Sequence, residues 1–135
     1  MTLNGILIVD DDPVVCLALK EQLLEEGYRV QTACRGSDAL RILGKKQFDL
    51  AYVNLIMDPM DGIETARRLK QIDPRMKIVL MSGLHEELEM RKQEAFQVGE
   101  CDMIIDKPIT LDIGRFTKKV LKKNFPKRGG RGKYA

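Results

Sequence analysis

The sequence predicts a doubly wound α/β domain built on a five-stranded parallel sheet. Three observations carry this. Five apolar runs of strand length alternate with five segments of helical character. The central strand runs are continuously apolar, as expected of strands covered by helices on both faces. Their carboxyl ends turn polar within a residue, which is where open parallel sheets bind ligands.

The elements follow in order. "GILIVD" (5–10) is a short strand rich in Ile and Val. Asp12 and Pro13 then supply an N-cap and a first-turn proline. The helix "VVCLALKEQLLEEG" carries Val14, Leu17, Ala18 and Leu24 at helical spacing and stops at Gly27. "YRVQTA" alternates like a strand, and "SDALRILGKK" is a short helix capped by Ser37. "FDLAYVN" is a buried strand. "GIETARRLKQID" is a helix with Ile63, Ala66, Leu69 and Ile72 inward, ended by Asp73-Pro74.

"KIVLMSG" (77–83) is the fourth strand, and "EELEMRKQEAFQVG" (86–99) a helix closed by Gly99. "DMIID" is the fifth strand, followed by Lys107-Pro108. "TLDIGRFTKKVLKKN" is the last helix, with Leu111, Phe116 and Val120 inward. "FPKRGGRGKYA" is basic and glycine-rich, the composition of a disordered tail.

The 135 residues suit one domain with a real core, and 44% hydrophobic with 32% charged residues is an ordinary globular balance. No apolar run reaches membrane-spanning length, and "MTLNGILIVDDD" lacks a basic signal-peptide start, so a cytoplasmic protein is expected. Cys16, Cys34 and Cys101 are scattered, with no CxxC and a single histidine, which disfavours zinc. They read as reduced, mostly buried thiols. All 20 acidic residues lie at or before Asp112, whereas nine Lys and Arg and no acid follow from Arg115 onward. That basic end could meet nucleic acid, an anionic surface or an acidic partner; the bland alternative is a solvated face.

The strand ends hold the chemistry. They carry Asp10-Asp11-Asp12, Asn54, Ser82 and Lys107. Carboxylates with an amide oxygen form a hard-oxygen set suited to Mg²⁺. A hydroxyl and an ammonium beside it suit a phosphoryl group. Each group alone has a duller reading: an Asp pair after a strand is often helix capping, and a Lys before Pro is often a surface residue. Four such groups at successive strand ends form a much more specific pattern.

With these residues in this order, the chain resembles the response regulator receiver domain of two-component signalling, over about residues 4 to 124. Asp10 and Asp11 in "ILIVDDD" match the acidic pair after strand one, and "NLIMDPMDG" (54–62) matches the acceptor loop. Ser82 in "VLMSG" and Lys107-Pro108 match the remaining motifs. The resemblance implies a flavodoxin-like fold and no enzymatic role. It implies that Asp10, Asp11, the side chain at 54 and the backbone carbonyl of Ile56 hold Mg²⁺. It further implies that Ser82 and Lys107 contact a phosphoryl group, and that the Lys107-Pro108 bond is cis. A histidine kinase or other signalling protein would be the partner. A homodimer would use the face of the fourth helix, fifth strand and fifth helix. The domain would be residues 1–124 and the tail 125–135.

Three departures stand out. The phosphoacceptor position is Asn54, whose neutral amide is a poor nucleophile although its oxygen can still ligate a cation. Mg²⁺ binding is therefore expected to be weakened. The loop reads Met57-Asp58-Pro59 where the family has Met-Pro-Gly, yet Met60-Asp61-Gly62 keeps the register, so Asp58 reads as a solvated acid and not a displaced acceptor. The aromatic switch position is Ile104, with Met103 as a second candidate. Two explanations fit: an atypical receiver acting through protein contacts without phosphorylation, or an ordinary receiver carrying an engineered Asp-to-Asn change.

The same residues also fit patterns of other classes. "ILIVDDDPV" also fits the Asp-x-Asp-x-Val motif of haloacid-dehalogenase-type phosphatases, with Asp10 as nucleophile and Asp12 as acid/base. That family needs an acidic pair beyond the lysine, and only Asp112 follows Lys107. "RGGRG" with Phe125 and Tyr134 resembles arginine-glycine RNA-binding segments, though a single repeat is weak. His85 reads as a lone helix-start histidine.

Overall fold

The structure is a computed structural model that describes residues 4–83, 101–106 and 112–124. The elements are β1 (Gly5–Val9), α1 (Pro13–Glu25), β2 (Arg29–Ala33), α2 (Gly36–Leu43), β3 (Leu50–Asn54), α3 (Gly62–Ile72), β4 (Lys77–Ser82), β5 (Met103–Asp106) and α4 (Ile113–Lys122). The sheet order is β2-β1-β3-β4-β5 with every pair parallel, as expected from the sequence. The helix expected at 86–99, His85, Lys107-Pro108 and the tail from 125 lie outside the described residues.

Alternation along the strands sorts the core into two layers. Leu7, Val9, Ala51, Val53, Ile78 and Leu80 pack with Ala39, Leu43, Ala66 and Leu69 of α2 and α3. Ile6, Ile8, Leu50, Tyr52, Val79 and Met81 pack with Cys16, Leu19 and Leu23 of α1 and with Ile113 and Val120 of α4.

The helix faces correct several sequence expectations. Asp12 caps α1 by accepting from the Val14 amide at 2.9 Å, and Pro13 opens it, as expected. The buried stripe, however, is Cys16, Leu19 and Leu23, while Val14 (72%), Leu17 (58%) and Leu24 (48%) are exposed. This helix is apolar on several sides, so periodicity alone did not define its rotation. The cap and a bond from Cys16 Sγ to the Asp10 carbonyl (3.3 Å) set it instead. Helix α2 begins one residue before Ser37, with Arg35 at its N-cap and no side-chain cap. Gly36 is pressed so closely against Thr65 that a Cβ would strike the hydroxyl, which favours a tight early start. In α3 the buried stripe is Gly62, Thr65, Ala66 and Leu69. That stripe would run on to Asp73, where the helix ends, and it leaves Ile72 half exposed. Cys16 and Cys101 are buried but Cys34 is exposed, because it follows the inward-facing Ala33.

Long-range polar contacts seat the last helix. The Tyr52 hydroxyl and Thr117 Oγ1 are 2.6 Å apart and fully buried. Lys77 Nζ donates to the carbonyls of Val120 (3.0 Å) and Leu121 (2.6 Å), satisfying the open C-terminal turn of α4. Lys70 Nζ lies 2.8 Å from the Asp102 carboxylate, which also accepts from the Ile78 amide and so ties the entry of β5 to β4. Tyr52→Phe leaves the Thr117 hydroxyl buried without its partner. It should lower unfolding stability by about 1–2 kcal/mol in a urea titration, and an unchanged midpoint would contradict this role.

Candidate functional site

Strand order reverses between β1 and β3, so the crevice of the sheet opens at their carboxyl ends. Val9 pairs with Val53, which brings Asp10–Asp12 and Asn54 to one rim. Ser82 ends β4 beside them, with Asn54 opposite Met81 in the register.

Asp10 is fully buried. Its Oδ1 accepts from the Asp12 amide at 2.9 Å, its amide donates to the Ala33 carbonyl at 3.1 Å, and its carbonyl accepts from Cys16. Asp11 is exposed, and Asp12 serves the helix cap. Burial, followed by the neighbouring Asp10 charge, pushes the Cys16 thiol up from 9.0 to about 11.

Asn54 is 8% exposed, and its side-chain amide is fully engaged as a donor. Nδ2 donates to Asp11 Oδ1 at 3.2 Å and to the Ile56 carbonyl at 2.8 Å. The loop around it is held by backbone bonds from Leu55 to Met81 and from Gly62 to Leu55, both 2.8 Å. A Cβ on Gly62 would collide with the Asn54 carbonyl and lie 2.7 Å from Leu55 Cα, so only glycine lets α3 start against this loop. Asp61 caps α3 by accepting from the Glu64 amide. Asp58 is exposed, and the Asp58-Pro59 bond is cis.

Ser82 is fully buried, and among the described residues its Oγ has no hydrogen-bond partner. A buried hydroxyl in that condition costs about 1–3 kcal/mol, a penalty that an incoming oxyanion could relieve. Ile104 is half-buried opposite Leu80 and packs with the α2 and α3 layer, whereas Met103 packs with the other layer. Lys107 lies outside the described residues, so its place at this rim is not part of the geometry.

The expected metal ligands therefore meet, but not as a cation site. A cation needs oxygens directed at it, and here the Asn54 amide already donates to two of the expected ligands, Asp11 and the Ile56 carbonyl. With Nδ2 turned to Asp11 and to the Ile56 carbonyl, Mg²⁺ would have to displace both hydrogen bonds to bind here. The fold brings Asp11, Asn54 and the Ile56 carbonyl together, but an asparagine offers both an oxygen and an NH₂, and the pattern of motifs does not tell which one faces inward. Cys16 and Gly62 as supports of the rim were visible only in the packing.

Because the Cys16 thiol ionises later in the folded than in the unfolded chain, its contribution to stability is intact below pH 9.0 and is lost as pH rises toward 11. Denaturation midpoints measured across that range should fall less steeply for Cys16→Ala than for the parent; parallel slopes would contradict this.

Similarity to known proteins agrees with this geometry. Residues 6–120 match the family model described as the response regulator receiver domain. The chain is 34% identical over 115 residues to the sensor histidine kinase RcsC of Salmonella typhimurium, a stretch covering 85% of this chain and 12% of that protein. It is 37% identical over 107 residues to the transcriptional regulatory protein ZraR of the same organism, covering 79% and 24%. The chain thus spans a minor part of these relatives. Among solved structures, a CheY-like receiver domain from Methanospirillum hungatei superposes with a TM-score of 0.78 at 29% identity, covering 89% of this chain and 94% of that one. The response regulator TrrA of Thermotoga maritima, solved in complex with Mg²⁺-BeF, superposes at 0.74 with 28% identity, covering 88% and 99%. Fold, rim residues and family match together place the chain in the response regulator receiver domain family of two-component signalling.

Proposed function

We propose that this receiver signals through protein contacts without conventional phosphorylation at residue 54. The observation that carries the reading is the pair of hydrogen bonds from Asn54 Nδ2 to Asp11 and to the Ile56 carbonyl. A receiver's acceptor must attack phosphorus as an anion. The amide has no such charge, and its nitrogen is turned toward the oxygens that would otherwise hold a cation. Mg²⁺ must displace these two bonds to bind, and it gains one fewer negative charge for doing so. Its binding is accordingly weakened.

In this reading the rim residues are positioning groups. Asp10 anchors the start of α1 through the Asp12 amide, and Asn54 holds Asp11 to the acceptor loop. Ile104 packs as a β-branched aliphatic with few rotamers, which suits a fixed strand better than a rotating reporter. The partner is a histidine kinase or another signalling protein, or a second copy meeting the face around the fifth strand and last helix. The setting is cytoplasmic; no helix among the described residues is long and apolar enough to cross a membrane. The signalling unit is residues 1–124, followed by a basic tail at 125–135.

One observation favours a second reading, an ordinary phospho-accepting receiver altered at one position. Ser82 Oγ is buried without a partner among the described residues, as a phosphoryl-binding hydroxyl would be. Lys107 would supply the accompanying positive charge. Incubating the parent and Asn54→Asp with Mg²⁺ and a small phosphodonor, then measuring intact mass, separates the readings. The parent should stay unmodified while Asn54→Asp gains one phosphoryl group. A parent that gains a phosphoryl group would refute phosphorylation-independent action.

A further inference from the structure

Of the three cysteines, Cys34 alone is exposed. It directly follows Ala33, the last residue of β2, which is an edge strand of the sheet. The parallel register runs on past the strand end. Ala33 stands opposite Val9, and the Asp10 amide donates to the Ala33 carbonyl at 3.1 Å. Residue 34 therefore lies beside Asp10, one strand spacing of about 4.8 Å away. Val30 packs on the α1 side of the sheet and Ala33 on the α2 and α3 side. Alternation then turns Cys34 toward α1.

Cys16 reaches the same place from the helix. Its Sγ lies 3.3 Å from the Asp10 carbonyl oxygen, and it packs in one cluster with Val30 of β2. After burial and the Asp10 charge, Cys34 is the next cause of the raised Cys16 pKa, so the two sulfurs lie within electrostatic reach. Cys101 is elsewhere: it is buried in the opposite layer, just before β5 at the far edge of the sheet.

We propose that Cys34 and Cys16 form a reversible disulfide on exposure to peroxide, a redox modification site beside the acidic rim. The exposed thiol reacts first, because oxidation follows access. The Cys34 sulfur attacks one peroxide oxygen, the O–O bond breaks, and water leaves with the thiol proton. Cys34 is then a sulfenic acid. The Cys16 sulfur attacks the Cys34 sulfur, forming the S–S bond and breaking the S–O bond, and the hydroxyl leaves as water with the Cys16 proton. The two thiols lose two electrons, and one peroxide becomes two waters. The linked form has no Cys16 S–H to donate to the Asp10 carbonyl, so oxidation removes a contact that sets the start of α1. A dithiol reductant restores it. The inference does not rest on how residue 54 functions.

The test treats the full folded chain with about three equivalents of hydrogen peroxide, then denatures it and blocks the remaining thiols with N-ethylmaleimide. Intact mass and tryptic peptides are read. The chain should lose about 2 Da and take up maleimide at Cys101 only. Trypsin should release residues 1–20 joined to residues 30–35, the peptides that carry Cys16 and Cys34. Dithiothreitol should return labelling to all three cysteines. Cys34→Ser, at an exposed position, should abolish the link, and Cys101→Ser should leave it unchanged. In Cys16→Ser the Cys34 sulfenic acid should persist, a gain of about 16 Da that dimedone captures. A parent left unmodified, or one whose Cys34 gains oxygen without linking, would overturn the inference. So would a disulfide that includes Cys101, or a link formed only between two chains.

Discussion

Parallel pairing of β1 with β3 underlies the whole functional rim. Ile6 stands opposite Leu50 and Val9 opposite Val53, so both chains leave the sheet at one level. The acidic cluster after β1 and Asn54 at the end of β3 then face each other across the point where strand order reverses. A one-residue slip would turn every side chain to the other face and exchange the two core layers. The burial of all five residues in each of these strands makes such a slip very costly.

Given that register, one side chain decides the chemistry. With a carboxylate at 54, negative charges would gather beside the buried Asp10 and call for a cation. With Asn54, the amide itself supplies the positive end of a dipole to Asp11 and to the Ile56 carbonyl. Two hydrogen bonds from a neutral group tie this part of the rim together. Gly62, pressed against the Asn54 carbonyl, keeps the loop in this position. These contacts fix the rim from within the chain.

The fold was legible because the strands are covered on both faces and read as unbroken apolar runs. The rim was legible because the runs of β1, β3 and β4 end in Asp10, Asn54 and Ser82, each at a known place in the order. What failed depended on orientation. Val14, Leu17 and Leu24 stand at helical spacing in α1, yet Cys16, Leu19 and Leu23 are buried. A helix apolar on several sides is oriented by its cap and its neighbours. Ser37 looked like a cap, but close packing of Gly36 starts α2 earlier. The Tyr52–Thr117 contact joins residues 65 apart and leaves no local pattern. Asn54 was found by position, but its donor geometry was not, because an amide reads equally well as ligand or donor.

Asn54 Nδ2 donates to Asp11 and to the Ile56 carbonyl, two of the groups expected to hold a cation. The side-chain NH₂ signals of Asn54 in nuclear magnetic resonance report on it directly during a Mg²⁺ titration. Two separate, exchange-protected proton signals that stay in place through millimolar Mg²⁺ are the predicted result. Signals that shift and saturate at submillimolar Mg²⁺ would show that the ion displaces the amide, and would contradict the account.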